Sequence, residues 1–215
     1  SRVQKAHRLL ATYLLNQIDN SKSIITFHGF SEEHNIIDNY LLSQKDHFDK
    51  HKINFDDVIS FKNFRGQSIG DEATTVRNPG STSQSFQDAI ESCLFQYVNE
   101  STSNEIEIFI TEKTWANYLF GRPFVMNGNK GTLTYLNKYY GFKSFDGLFD
   151  ESYDLMDNFV DRVYYGVEEV KKLCSLDFYE AKKQVESLES IYEHNFNIFK
   201  SINFAQKFLR IFDGI

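Results

Sequence analysis

The chain has 215 residues and a mass of 25.2 kDa, enough for one large domain or two small ones. Hydrophobic residues make up 41% and charged residues 25%, as in ordinary soluble globular proteins, and 21 Phe with 12 Tyr predict a Phe-rich core. A formal charge of −7 excludes a general attraction to nucleic acid or anionic membrane and leaves open only a local basic groove.

In chain order, Val3, Ala6, Leu9, Leu10, Tyr13, Leu14 and Ile18 recur at helical spacing over residues 3 to 18. Arg2, Lys5, His7 and Arg8 crowd the same end, as a solvated basic face or a functional one. Ser23 to Phe27 is a β-branched run closed by His28-Gly29, the pattern of a strand ending at a ligand-facing loop. Residues 32 to 42 read as helix through Ile36, Ile37, Tyr40 and Leu41. Phe55, Val58, Ile59 and Phe61 mark a strand or a packing segment, and Gly66 to Ser85, with Pro79, has the composition of a long surface loop. Ala89 to Val98 reads as helix or strand, and the alternation of Cys93, Phe95 and Tyr97 favours a strand before Glu100.

A strand-like run from Ile106 to Ile110 then breaks into Thr111-Glu112-Lys113. A short helix follows, and Gly121-Arg122-Pro123 reopens into the apolar run Phe124 to Met126. That grammar predicts a parallel α/β unit. Asn127-Gly128 and Gly131 form a turn, Thr132 to Tyr140 is helical through Leu133, Leu136 and Tyr140, and Gly141 to Phe145 reads as a helix stop and a short strand. From Leu155 to Phe212 the pattern is helical: Met156, Phe159, Val160, Val163, Val167 and Val170 form one packing face. Ala181, Val185, Leu188, Tyr192 and Phe199 form another, followed by Phe204, Phe208 and Phe212.

The chemistry concentrates at Thr111, Glu112 and Lys113. In open α/β sheets ligands bind beyond the carboxyl ends of the strands, often at a helix N-terminus. First-turn N–H groups favour an anion and a lysine beside them adds a full charge, while a carboxylate such as Glu112 accepts from hydroxyls. A phosphate-plus-ribose ligand fits this set; so does plain helix capping, with Thr as cap and an acid in the first turn. The sequence has no GxGxxG, Walker A, HExxH or GxSxG motif. The six histidines show no metal spacing with cysteines; His47 and His51, four apart near Asp46 and Asp49, read as a solvated pair. Cys93 and Cys174, far apart in apolar-patterned segments, read as buried free thiols. No apolar run approaches a membrane span and no signal-peptide pattern is present.

The ordered blocks Tyr97-Val98-Asn99-Glu100-Ser101, Phe109-Ile110-Thr111-Glu112-Lys113 and Gly121-Arg122-Pro123-Phe124-Val125 resemble the donor-binding half of family 10 glycosyltransferases, the α1,3-fucosyltransferases. In that family a strand runs into Phe-Glu-Asn-Ser, then an aromatic-Val-Thr-Glu-Lys turn, a helix, and Gly-x-x-Pro before an apolar strand. Ser1 to Arg8 and Ile24 to Gly29 are more loosely similar to its upstream segment, and Gly141 to Asp154 resembles glycosyltransferase-like proteins of large tailed phages. The likeness is dense over residues 95 to 154, looser over 1 to 30 and absent over 44 to 85.

The resemblance implies a Rossmann-like parallel sheet flanked by helices, the C-terminal domain of a GT-B enzyme, over residues 1 to 150, with closing helices over 151 to 215. It implies that Lys113 neutralises the pyrophosphate of a nucleoside diphosphate sugar with help from Arg8, that Glu112 or Glu100 holds ribose hydroxyls, and that Thr111 opens the binding turn. Stabilising the leaving diphosphate is the electrostatic share of glycosyl transfer. Where the family has Phe-Glu-Asn, this chain has Asn99-Glu100-Ser101, so the contact of that family Asn is in question. The acceptor and catalytic base belong largely to the family's N-terminal half, so no base is nominated and the chain reads as the C-terminal half. The expected donor is a nucleotide sugar, with no metal or other cofactor, no membrane partner, a cytoplasmic location (host cytoplasm if viral), and oligomerisation left open. The acceptor is a glycan, a protein or a modified DNA base. The competing expectation is a non-catalytic interaction module that keeps the fold.

Overall fold

The computed structural model describes residues 5–18, 35–64, 88, 90–103 and 107–202. The expected strand at residues 23 to 27, the loop at 66 to 85 and the apolar positions from Phe204 onward lie outside the described residues.

The first elements among the described residues are helices: α1 (Ala6–Asn16), α2 (Asn35–Leu42), α3 (Lys45–Lys50) and α4 (Phe55–Ser60). The segment around Phe55 is therefore helix, not strand. Asn54 decides it, because its side chain accepts from Asp56 N and Asp57 N, and both acids sit in the first turn, where the helix dipole favours them. After a helical turn closing at residues 90–92 comes β1 (Gln96–Asn99), as the alternation ahead of Glu100 predicts. Helix α5 (Glu112–Leu119) crosses over to β2 (Phe124–Asn127), which pairs parallel to β1 in the register Gln96↔Phe124 to Asn99↔Asn127. Gly121, at φ +60°, turns the chain from α5 into Pro123, which needs no N–H at the start of a strand. Helix α6 (Thr132–Tyr135) runs on as a π-helical stretch (Leu136–Tyr140), followed by a 3₁₀ segment (Glu151–Leu155). The last described elements are α7 (Phe159–Cys174), α8 (Phe178–Glu186) and α9 (Glu189–Ser201). The described structure is helix-rich and mixed, with one small two-stranded parallel sheet, and is compatible with an α/β class. No helix among the described residues is long and apolar enough to cross a membrane.

Two expected strands fail. Residues 107–110 are irregular: Phe109 is 56% exposed, so the run buries no continuous face, and the Glu107 carbonyl accepts from the Asn129 amide. Residues 141–145 are also irregular, because their buried members Phe142 and Phe145 are spaced by three, not two. Here a side chain takes the place of a neighbouring strand: Asn195 accepts from Lys143 N at 2.7 Å and donates to Lys143 O at 3.0 Å. The cysteines are free, but Cys174 is exposed at the end of α7 and Cys93 is only partly covered, so the expectation of buried thiols fails.

Two apolar clusters share α7. Val170 and Leu173 join Val98, Phe124, Met126, Phe142 and Phe149 in one cluster. Phe159, Val160, Val163 and Val167, on earlier turns, pack with Leu9, Leu10, Leu14 and Phe48 in the other. Close approach of α7 to β2 depends on Gly166, where an added Cβ would lie 3.2 Å from Val125 Cγ1. The N–H of Met126 donates to the Tyr153 hydroxyl at 2.9 Å, satisfying a buried strand group that has no ladder partner there.

Replacing Asn195 by Ala removes both bonds to Lys143 and should lower stability by about 1–3 kcal/mol. A urea melt checks this: the midpoint should fall with an unchanged slope, and an unmoved midpoint would refute the clamp.

Candidate functional site

Both strands end at the same edge, and there the chain makes Glu100 a junction. Its backbone N–H donates to Asn127 O at 2.9 Å, carrying the strand ladder one residue further. Its carboxylate, fully buried, accepts four hydrogen bonds. Oε1 takes the Thr111 N–H (3.1 Å) and the Thr114 hydroxyl (2.5 Å). Oε2 takes the Thr111 hydroxyl (2.6 Å) and the Ser101 N–H (3.2 Å). Its carbonyl accepts from Arg8 Nε (3.2 Å), Arg8 Nη2 (2.8 Å) and His7 Nε2 (3.0 Å), both side chains reaching over from α1.

The rest of the site hangs on Thr111, the N-cap of α5. Having donated its proton to Glu100, the Thr111 hydroxyl accepts from Lys113 N at 3.4 Å and from Lys113 Nζ at 3.1 Å. Lys113 Nζ also donates to Glu112 Oε1 at 2.9 Å. The five residues singled out by sequence, Arg8, Glu100, Thr111, Glu112 and Lys113, thus come together in one constellation. Their orientation differs among them: Glu100 faces inward onto four protein donors, whereas the Glu112 side chain is 76% exposed. Sequence reading missed Thr114 and Ser101; the Thr-x-x-Thr spacing that puts Thr111 and Thr114 on one side of the first turn is a signal in retrospect.

Burial dominates the electrostatics. It pulls the Arg8 guanidinium below its ordinary value, opposed by the negative charges of Glu100 and Glu112. It drives His7 down to about 3, reinforced by the charges of Arg8, Lys5 and Arg162, so the ring is neutral and its Nε2 carries the proton given to Glu100 O. Glu112 is held below its usual value: burial opposes this, but the hydrogen bond and charge of Lys113 outweigh it. The Lys113–Glu112 pair is a solvent-facing one, worth about 0–1 kcal/mol.

Other polar clusters lie apart from this edge. His47 and His51 do share a side, and with Lys50 they meet the carboxylate of Asp161 in the first turn of α7, at 3.2, 2.6 and 3.1 Å for His47 Nδ1, His51 Nε2 and Lys50 Nζ. The pair is thus tied to α7 and is not merely solvated; the His51 ring stacks on Tyr164 at 4.0 Å. Among the described residues no group of three or more His, Cys, Asp or Glu is placed to hold a metal. A separate small cleft lined by Tyr118, Asn137, Phe142, Ser144 and Phe145 holds Glu151, which burial pushes up to about 7. Its carboxylate accepts from Phe145 N at 2.8 Å, a local loop clamp. Asp154, pushed up to about 6 by burial, accepts from Leu133 N and Thr134 N and so caps α6.

Comparison of the chain with protein-family models, with curated proteins and with solved structures finds no match.

Glu100→Gln keeps the shape but turns an acceptor into an NH₂ facing donors, so it should cost about 2–3 kcal/mol; an unchanged denaturation midpoint would rule out the junction. His7 gives a pH signature. The unfolded chain takes up this proton below about 6.5 and the folded chain only below about 3, so the stability it contributes rises as pH is raised from 3 to 6.5. His7→Gln should flatten that part of the stability–pH curve, and an unaltered slope would contradict the neutral buried ring.

Proposed function

We propose that the chain binds a nucleoside diphosphate sugar, as a glycosyltransferase or as the donor-binding domain of one. The observation that carries this is the gathering of Arg8 and Lys113 at the N-terminus of α5, beside the carboxyl ends of two parallel strands. That is where an open α/β sheet accepts a phosphate-bearing ligand, and where first-turn N–H groups add their own attraction for an anion. The β1–α5–β2 unit is consistent with a Rossmann-like sheet of the GT-B kind. The resemblance of Thr111-Glu112-Lys113 and its flanking blocks to family 10 glycosyltransferases gives the anion its identity as a sugar nucleotide.

In this reading Lys113 leaves Glu112 and takes the diphosphate, and the freed Glu112 carboxylate, on the exposed side, receives ribose hydroxyls. Arg8 is anchored to the Glu100 carbonyl and adds a second positive charge to the edge. Glu100 itself acts through others: it sets the first turn of α5 and is too fully occupied to bind ribose. Charge accumulating on the departing diphosphate is met by groups already in position, which is the way such a domain lowers the barrier. A second reading, a non-catalytic interaction module on the same fold, draws on Phe178 and Tyr179 at the start of α8, which are 50% and 81% exposed.

Calorimetric titration with UDP, GDP and their sugar conjugates separates the two. Lys113→Ala should weaken binding by about tenfold or more, the worth of a charge-assisted hydrogen bond, and leave the melting midpoint unchanged. Affinity equal to that of the unaltered protein would sink the assignment, and silence from every nucleotide would favour the module.

A further inference from the structure

Asn99 and Asn127 are the last residues of β1 and β2, and they face each other in the parallel register. The pleat puts them on the same face as Tyr97 and Val125, the face that packs against α7 through Gly166 and Val125. Asn127 Nδ2 donates to Asn99 Oδ1 at 2.8 Å. Asn127 is 2% exposed, yet its Oδ1 has no hydrogen-bond partner. Asn99 is only partly buried, and its amide N–H groups make no hydrogen bond among the described residues. Turning both amides over does not remove the difficulty, since Asn127 would then bury an unpaired NH₂ in place of an unpaired oxygen. Either way a buried amide atom waits for a partner, at the strand ends, one residue from Glu100.

We propose that the Asn99–Asn127 amide pair reads the sugar of the donor, one hydroxyl of the glycosyl group bonding the unpaired atom of Asn127 and the free amide of Asn99; this rests on the nucleotide-sugar reading above. A hydroxyl both donates and accepts, so it satisfies the pair in either amide orientation, which a phosphate oxygen, an acceptor only, does not. Adjacency to the diphosphate groups is built into the backbone: the Asn127 carbonyl accepts from Glu100 N, and Glu100 in turn fixes Thr111 and, through it, Lys113. The sugar is joined to the diphosphate, so its hydroxyls lie within a short reach of wherever Lys113 holds the phosphates.

Affinities for UDP, GDP, UDP-glucose, UDP-galactose, GDP-mannose and GDP-fucose are measured on the unaltered protein and on Asn127→Ala, Asn99→Ala and Lys113→Ala. The two asparagine variants should bind the free diphosphate as the unaltered protein does and lose about tenfold for the preferred sugar conjugate. Binding of the diphosphate within each variant reports on folding, and Asn99→Ala, at the partly exposed position, serves if Asn127→Ala does not fold. A variant that retains the full preference for the conjugate over the diphosphate overturns the proposal, as a fixed water in place of the hydroxyl would produce, while loss confined to Lys113→Ala leaves the donor site standing. Failure of the unaltered protein to bind any diphosphate overturns both.

Discussion

The edge of the sheet depends on one buried carboxylate. Glu100 has an acceptor group at each end of its side chain and main chain, and each holds a different part of the protein. An acid with no exposure is stable only when donors replace the water it has lost, and here four do. Three of those donors, the Thr111 N–H and the Thr111 and Thr114 hydroxyls, belong to the start of α5, and the fourth is the N–H of Ser101. Satisfying a buried carboxylate and setting the geometry of the helix start are therefore one constraint. The carbonyl extends it to α1, some ninety residues earlier, by accepting from the Arg8 and His7 side chains.

Under the nucleotide-sugar proposal, what matters at this edge is how its cations are held. Arg8 donates to the Glu100 carbonyl and feels the charges of Glu100 and Glu112. Lys113 is paired with an exposed carboxylate that solvent screens and with which an incoming anion would compete. A lysine locked to a buried acid would have been far harder to recruit.

Much of this was legible in the sequence, for identifiable reasons. The helices α1, α2, α5 and α7 carry their apolar residues at unbroken helical spacing, and β2 follows a Gly-x-Pro stop. The gathering of Arg8, Thr111, Glu112 and Lys113 was legible as chemistry. What failed did so where tertiary partners decide. The run before Thr111 has the composition of a strand, but its Glu107 carbonyl goes to Asn129 and Phe109 faces water. The segment at Phe145 lost its strand because Asn195, fifty residues on, takes both backbone groups of Lys143. The inward role of Glu100 was not legible either, since a lone acid after a strand reads equally as a ligand for hydroxyls until its four donors are known. His47 and His51 looked solvated because Asp161, their shared partner, lies more than a hundred residues away.

Helix α7 has a consequence for how the protein comes apart. Its early turns belong to one apolar cluster and its last turns to the other, so neither cluster is bounded by its own set of elements. Freeing the first from α7 would strip Phe159, Val160, Val163 and Val167 and leave the later turns of a helix held only at its end. Partial opening on either side thus weakens the other, and the described elements form a single cooperative unit rather than two that melt in turn. Tyr97 of β1 packs against both clusters, so the order of the strand that leads into Glu100 is tied to the survival of both.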